Sequence, residues 1–283
     1  MGLINYNIEK YSPQQLVIIP LVLLIISLVY LSFMMVTTGM PVTPGLDFSG
    51  GTAVTIRTTD SDEQLQTVFA GYPLVEISDM NDAKFLKFGT MDDAMSRSLS
   101  SLISEKFPDA SISQISETFG KSLQYQAFIA VIFSFIGMAI VVFFTFRTFV
   151  PSVAVVLSAF ADMAMTAAAM NFAGITLTLG TTAALLMLIG YSVDSDILLT
   201  TRVLKRQGKL HEKIAGAFHT GIIMTTTTFA AISVLFIVSW FGSIQILMEI
   251  SAVLLIGLFF DVINTWLTNV GILKWYVQKG GAK

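Results

Sequence analysis

The hydropathy pattern of this chain is dominated by long runs of apolar residues separated by polar segments. Six runs are long enough for helices that cross a bilayer, which need about 20 apolar residues each. They cover residues 16–36, 124–146, 151–170, 177–200, 219–240 and 246–271. The pattern predicts a polytopic α-helical membrane protein with six transmembrane helices. The first run is expected to be a retained anchor, because no small-residue cleavage pattern follows it.

One long polar stretch, residues 37–123, separates the first and second apolar runs. Strands are predicted where apolar and polar residues alternate, and helices where apolar residues recur at helical spacing. Ser61 and Gln64 have the spacing of a capping box, and Thr90 with Asp93 marks the start of a second helix that stops at Pro108. Strands are expected at 52–58, 74–78, 84–89 and 110–117, with the first helix at 61–70. The resulting βαββαβ order predicts a ferredoxin-like α+β head.

Lysine and arginine are concentrated in the segment 201–218 and in the tail 272–283. Basic residues in short loops mark the cytoplasmic side of a membrane protein. Six crossings then place residues 1–15 and the tail in the cytoplasm and the head outside. We therefore expect a multi-pass protein of the cytoplasmic membrane, surrounded by the lipid bilayer.

Composition limits the chemistry that the chain supports. Of its 283 residues 54% are hydrophobic and 12% charged, and a net charge of −3 argues against a nucleic-acid-binding protein. The lack of cysteine excludes a thiolate metal site, and His211 and His219 have no third zinc ligand near them. No nucleotide-binding loop occurs. We expect neither an enzyme nor a bound metal or cofactor.

Five acidic residues lie inside the apolar runs or at their ends, without a Lys or Arg in any run to pair with them. They are Asp162, Asp194, Asp196, Glu249 and Asp261. A charged side chain at the centre of a membrane helix costs about 2.5–3.5 kcal/mol, so such residues usually face a bundle interior and mark a pathway. A buried carboxylate without a cationic partner favours its protonated form. The pattern indicates groups that exchange protons, with the proton as coupling ion.

Position separates these acids further. Asp162 and Asp261 fall near the centres of their runs, Asp194 lies toward the cytoplasmic end of its run, and Glu249 fits a solvated helix end. Asp194 and Asp196 are two residues apart, hence about 200° apart around a helix. Only one of the two is expected to face the bundle interior.

Structural roles are the alternative for the same residues. Asp162 and Asp261 are also suited to linking helices through hydrogen bonds to side chains such as Thr166 or Asn264. Thr226, in a run of threonines at a depth similar to that of Asp194, supplies either a hydroxyl for proton transfer or ordinary packing. The sequence leaves these alternatives open.

Two short motifs resemble those of one family. The first, soon after the first apolar run, comprises Asp47, Phe48, Gly50 and Gly51. The second, in the fourth run, comprises Gly190, Tyr191, Ser192, Asp194, Asp196 and Arg202. Together with the large loop after the first run, they resemble the SecD/SecF family of protein-export membrane proteins, part of the resistance-nodulation-division superfamily. The chain is more similar to the SecF branch, and its Asp-x-Asp spacing to the archaeal form.

The resemblance implies an accessory subunit of the Sec pathway that acts with SecD and assists the SecY channel. Proton flow through the bundle would help to draw an unfolded polypeptide outward. Bacterial members carry the fourth-helix aspartate where this chain has Ser195, and an arginine near the position of His219. Histidine also titrates. The proton-relay candidates are therefore Asp194, Asp196, Asp162, Asp261, Thr226 and His219.

The glycine pair Gly50–Gly51 is either a hinge between bundle and head or a tight turn where backbones pack closely. Asp47 is expected to cap that turn rather than to contact substrate. All three residues belong to the motif at the start of the head.

Two other functions compete with the Sec interpretation. One is half of a proton-coupled exporter of lipids or hydrophobic compounds, although a full exporter needs two six-helix repeats. The other is a translocon assembly factor that uses no gradient. An intramembrane aspartyl protease is disfavoured, because its G-x-G-D pattern is absent from the sequence.

Overall fold

The computed structural model describes residues 10–80 and 83–280. In chain order the elements are α1 (Pro13–Thr38), α2 (Leu46–Ser49), β1 (Gly51–Ile56), α3 (Asp62–Val68), β2 (Leu74–Met80), β3 (Ala83–Phe88), α4 (Asp93–Lys106), β4 (Ser111–Ile115), α5 (Glu117–Phe146), α6 (Phe149–Phe172), α7 (Leu179–Lys205), α8 (Leu210–Phe241), α9 (Gln245–Ile263), a π-helical turn (Asn264–Asn269) and α10 (Val270–Gln278). Within the described ranges six helices are long and apolar enough to cross a membrane, the last formed by α9, the π turn and α10 together. The predicted six-helix membrane protein is confirmed.

The helices are longer than the apolar runs that predicted them. The basic segment 201–218, expected as a loop, is mostly helical, because α7 continues to Lys205 and α8 begins at Leu210. An apolar run marks only the part of a helix inside the hydrocarbon, whereas the backbone stays helical until a residue breaks it. Gly208, with a φ of 118°, lies in the short connection that remains.

The same extension shifts three other predicted boundaries. Helix α5 begins at Glu117, inside the stretch assigned to the head, and α10 carries helix into the predicted tail as far as Gln278. At the other end α1 begins at Pro13, capped by Ser12, within the predicted segment 1–15. Residues 1–9 of that segment and residues 281–283 of the tail lie outside the described part of the chain.

The head is a four-stranded antiparallel sheet with the strand order β2-β3-β1-β4. Helices α3 and α4 pack on one face of it, and the βαββαβ element order is the predicted one. The core between helices and sheet consists of Val54, Ile56, Leu65, Phe69, Leu86, Phe88, Leu99 and Ile103. A continuous apolar core explains how this small unit keeps its shape beside the membrane helices.

Side-chain caps set the starts of the two head helices. Ser61 and Gln64 form the predicted capping box of α3, each side chain accepting from the other residue's backbone N–H. Helix α4 begins later than expected, because Asp92 rather than Thr90 caps it. The Met95 N–H donates to Asp92 Oδ1 at 2.7 Å.

Helices α6 and α7 are the most buried of the spans, whereas α1, α5 and α8 turn most of their surface outward. Helix α7 packs against α5, α6, α8 and α9. Gly257 lets α9 approach α7 closely, since a Cβ there would lie 2.5 Å from Leu188 Cδ2. The centre of the bundle is therefore formed by α6, α7 and α9.

Candidate functional site

Three aspartates from three helices meet at the centre of the bundle. Asp162 lies on α6, Asp196 on α7 and Asp261 on α9, with exposed fractions of 0%, 0% and 2%. Their side-chain partners are hydroxyl and amide groups. Among residues 10–80 and 83–280, no Lys, Arg or His forms an ion pair with any of them. We call these three residues the aspartate cluster.

Asp162 is held by donors from both neighbouring helices. The Ser192 hydroxyl of α7 donates to Asp162 Oδ2 at 2.6 Å, and the Asn264 amide donates to Oδ1 at 2.7 Å. Thr166 bonds instead to the backbone carbonyl of Asp162, at 2.6 Å. Of these two side chains, Asn264 therefore reaches the Asp162 carboxylate from another helix, whereas Thr166 bonds to the backbone of its own helix.

A single hydroxyl connects the other two aspartates. Thr265 Oγ1 lies 2.9 Å from Asp196 Oδ1 and 3.1 Å from Asp261 Oδ1. Ser195 donates to Asp261 Oδ1 at 3.2 Å, and its hydroxyl lies 3.2 Å from that of Thr265. A threonine hydroxyl has one proton, so it serves one carboxylate at a time. The Thr265 hydroxyl therefore bridges Asp196 and Asp261 and can donate to either of them.

Several buried polar atoms around Asp196 have spare hydrogen-bonding capacity. Asn269 donates to Asp196 Oδ1 at 2.7 Å. Asp196 Oδ2, Asn269 Oδ1, Ser158 Oγ and Thr200 Oγ1 are buried and form no hydrogen bond within the described residues. Ser158 lies one turn before Asp162 on α6, and Thr200 one turn after Asp196 on α7, toward the same end of the bundle. The buried hydroxyls of Ser158 and Thr200 thus extend the polar region from the cluster toward the C-terminal end of α7.

The π turn places Asn264 and Asn269 of the last span against the cluster. In a regular α-helix, Asn264 and Asn269 would be about 140° apart around the axis. The wider i→i+5 turn lets both side chains reach a cluster aspartate, with Thr265 between them. Sequence reasoning missed Thr265 and Asn269. The available signal was four polar residues among six inside an apolar run, at 264–269.

Other predicted relay residues lie elsewhere. Asp194 is exposed on the face of α7 opposite Asp196, so the inward-facing member of this pair is Asp196. His219 and Thr226 are exposed on α8 and do not join the cluster. Arg202 donates to Thr220 Oγ1 at 2.7 Å near the end of α7. The threonine that reaches the aspartates comes from the last span instead of the fifth, because Thr265 lies one turn after Asp261 on the same inward face.

Within the same motif, Tyr191 is half-buried against its neighbours and Gly190 is exposed. Glu249, at the far end of the last span, accepts a hydrogen bond from Gln245 at 2.8 Å. Over the described ranges, no group of three or more His, Asp or Glu residues is arranged to hold a metal ion.

The first motif forms a tight junction below the head. Phe48 is buried, with 1% exposed. Gly50 and Gly51 have φ values of 75° and 125°, and a Cβ on Gly51 would lie 2.4 Å from the Phe88 carbonyl oxygen. Close backbone packing therefore accounts for the glycine pair. Asp47 does not cap this turn as expected, because its Oδ2 accepts from the N–H of Leu179, at 2.7 Å.

Fold and site together define a class. This is a multi-pass membrane protein whose six-helix bundle encloses carboxylates and carries a small α+β head between its first two spans. Residues 95–279 match the family described as "Protein export membrane protein SecD/SecF, C-terminal". The chain belongs to the SecD/SecF family of protein-export membrane proteins, in its SecF branch.

Relatives named protein-export membrane protein SecF occur in several archaea. The protein from Methanolacinia petrolearia is 57% identical over 282 residues, covering 99% of this chain and 100% of the relative. The protein from Haloferax volcanii is 42% identical, covering 96% and 95%. That from Methanocaldococcus jannaschii is 39% identical, covering 94% and 96%.

A solved structure shares the fold. It is the crystal structure of SecDF, a translocon-associated membrane protein from Thermus thermophilus, with a TM-score of 0.76 and 21% sequence identity. The match covers 98% of this chain and 40% of the SecDF chain. The chain therefore spans well under half the length of that protein.

Proposed function

We propose that this SecF-type subunit acts with SecD and the SecY channel to assist outward movement of unfolded polypeptide, and that proton flow through the aspartate cluster drives it. One observation carries the proposal: three carboxylates lie buried together, and within residues 10–80 and 83–280 their side-chain partners are hydroxyl and amide groups. Ionised carboxylates at such a place repel one another and are poorly solvated. Protons are the simplest counter-charges that they can take up and release.

Protonation would act on helix packing. With protons bound, the aspartates stay hydrogen-bonded to Ser192, Asn264 and Thr265 of neighbouring helices. Helices α6, α7 and α9 then pack closely. Release of protons from two of the aspartates leaves like charges in a low dielectric, which favours an arrangement with the helices further apart. A protonation state that differs between two arrangements biases their populations. Alternation between them is the proposed source of mechanical work.

We place the protein in the cytoplasmic membrane with both termini inside and the head outside. The basic residues around the α7–α8 connection support this orientation, as do those of the tail. The relay would then open toward the cytoplasm at the end where Ser158 and Thr200 lie.

Asp194 supports the partnership with SecD. It shares an exposed stripe of α7 with Ala183, Met187 and Gly190. A carboxylate facing hydrocarbon costs about 2.5–3.5 kcal/mol, so this face is expected to be covered by protein. The matching SecDF chain is more than twice as long as the part that this chain covers, which leaves a second half to supply the cover. Asp194 is then a relay residue at the subunit contact.

The test compares Asp196→Asn with Glu249→Gln in a strain whose secretion depends on this protein. Both changes replace an acid of the bundle by its amide, but only Asp196 belongs to the cluster. After membrane abundance and SecD recovery are checked, release of secreted protein is measured with and without a proton gradient. We expect the gradient-dependent part of release to vanish in the first variant and to persist in the second. Normal release by both would favour a gradient-independent assembly role.

A further inference from the structure

The segment that leads into the head runs beside the start of α7. The Gly45 N–H donates to the Leu177 carbonyl at 2.7 Å, and the Leu177 N–H donates to the Thr43 carbonyl at 2.8 Å. A Cβ on Gly45 would lie 2.5 Å from Thr178 Cγ2, so the two stretches approach as closely as glycine allows. A parallel β-bridge therefore joins the chain before α2 to the chain before α7.

Asp47 extends this contact with its side chain. Its Oδ2 accepts from the N–H of Leu179, the first residue of α7, at 2.7 Å. The first N–H groups of a helix lack intrahelical partners, and the helix dipole places positive charge there, so a carboxylate is a favoured acceptor. The Thr181 N–H is satisfied locally, by Thr178 Oγ1 at 3.1 Å. Helix α7 thus takes one cap from its own segment and one from a residue 132 positions away.

The other end of α2 is held by α5 and the head. Gln124 of α5 donates to the Phe48 carbonyl at 2.8 Å. Gly50 leads directly from α2 into β1, and the backbone of Gly51, the first residue of β1, packs against the Phe88 carbonyl of β3. The turn α2 therefore contacts the helix that carries Asp196 on one side and continues into a central strand of the head on the other.

We infer that Asp47 is a positioning residue that fastens the head to α7, so that displacement of α7 reaches β1 through α2. The inference rests on the proposed function, in which protonation of the aspartate cluster changes the packing of α6, α7 and α9. A carboxylate bonded to the first backbone N–H of a helix follows that helix when it moves. The second connection of the head runs from β4 into α5, which carries none of the cluster.

The test is a distance measurement on the full chain with SecD in lipid vesicles. Because the chain has no cysteine, spin labels can be placed at Glu63→Cys in α3 and Ala173→Cys at the end of α6, both exposed positions. The unmodified background should give one narrow head-to-bundle distance distribution. Asp47→Ala should broaden or shift it and speed amide exchange at Leu179 about fivefold or more. Asp47→Asn, whose side-chain oxygen still accepts, should restore both readouts.

Asp92→Ala is the matched control. Asp92 caps α4 through the same kind of bond, from the Met95 N–H at 2.7 Å, but it lies wholly within the head. This variant should loosen α4 and leave the head-to-bundle distance unchanged. An unchanged distribution in Asp47→Ala, or an equal change in Asp92→Ala, would overturn the inference.

Export measurements separate this inference from the proposed function. If Asp196→Asn exports normally while Asp47→Ala alters the distance, the proposed proton coupling is wrong and the attachment of the head to α7 by Asp47 is supported. If Asp196→Asn loses gradient-dependent export while Asp47→Ala matches the unmodified protein in distance and export, the attachment fails and the coupling stands. Both ideas together require loss of export in both variants, with an altered distance only in Asp47→Ala.

Discussion

Thr265→Val removes one hydroxyl from the centre of the aspartate cluster. Within the described residues, this hydroxyl alone forms hydrogen bonds with both Asp196 and Asp261, at 2.9 and 3.1 Å. Valine has nearly the same shape, so helix packing is kept and the hydrogen-bonding group is lost. We expect the variant to insert and fold, to be less stable, and to lose most gradient-dependent export.

The size of the stability loss follows from the number of protons involved. One hydroxyl proton makes one hydrogen bond at a time, worth about 0.5–1.5 kcal/mol between neutral groups and about 1.5–3 kcal/mol with a charged acceptor. Interhelical hydrogen bonds in membranes average about 0.6 kcal/mol. The free energy of unfolding should therefore fall by about 0.5–1.5 kcal/mol when both carboxyls are protonated and by about 1.5–3 kcal/mol when one is ionised. The penalty should increase from acidic to alkaline buffer.

The assay is reversible unfolding of the purified full chain in mixed micelles, combined with the export measurement. Thr166→Val is the control, because Thr166 is equally buried but donates only to the backbone carbonyl of Asp162. Its unfolding free energy should stay within about 0.5 kcal/mol of the unmodified protein. Thr265→Ser keeps the hydroxyl and should restore export. Equal penalties for the two valine variants, or full export by Thr265→Val, would refute the reasoning.

Three further predictions concern the head. Gly51→Ala should destabilise it by about 1–3 kcal/mol in chemical unfolding, because φ is 125° and a Cβ would meet a backbone oxygen at 2.4 Å; Gly71→Ala, with nothing within 4 Å, should change stability by less than about 0.5 kcal/mol. Phe69→Ala should cost about 3–5 kcal/mol in the same assay, since this ring is fully buried. Hydrogen bonding to Asp62 raises the pKa of Lys84, so its stabilisation is complete below the ordinary lysine value and lost as the pH rises through the raised one. Lys84→Met should abolish that dependence in thermal unfolding across an alkaline pH series.

Local patterns are sufficient for most of the architecture. An apolar run of about 20 residues forms a helix in lipid whatever its neighbours, because only a helix satisfies its backbone within the segment. The capping box of Ser61 and Gln64 is equally local, and it sets the start of α3. The ends of the membrane helices were less predictable, since the helices continue into water beyond the apolar residues, as α7 does to Lys205.

The inward-facing residues of the site cannot be predicted from local patterns. Spacing alone places Asp194 and Asp196 on opposite faces of α7, but the inward face depends on partners far away in the chain. Asp196 is selected by Thr265, 69 positions away, and the neighbouring Ser192 meets Asp162 across 30 positions. The π turn that brings both Asn264 and Asn269 to the cluster cannot be recognised from the hydropathy, because it changes the number of residues per turn and not their polarity.

By itself the sequence determined six membrane helices, the βαββαβ order of the head and the presence of unpaired acids in the bilayer. Each of these follows from polarity and spacing within a short window. Only the tertiary structure decided that Asp162, Asp196 and Asp261 form one cluster and that Asp47 caps α7. The physical reason is that burial and hydrogen bonding are properties of pairs of side chains, and these pairs are formed by helices that pack together after being specified separately.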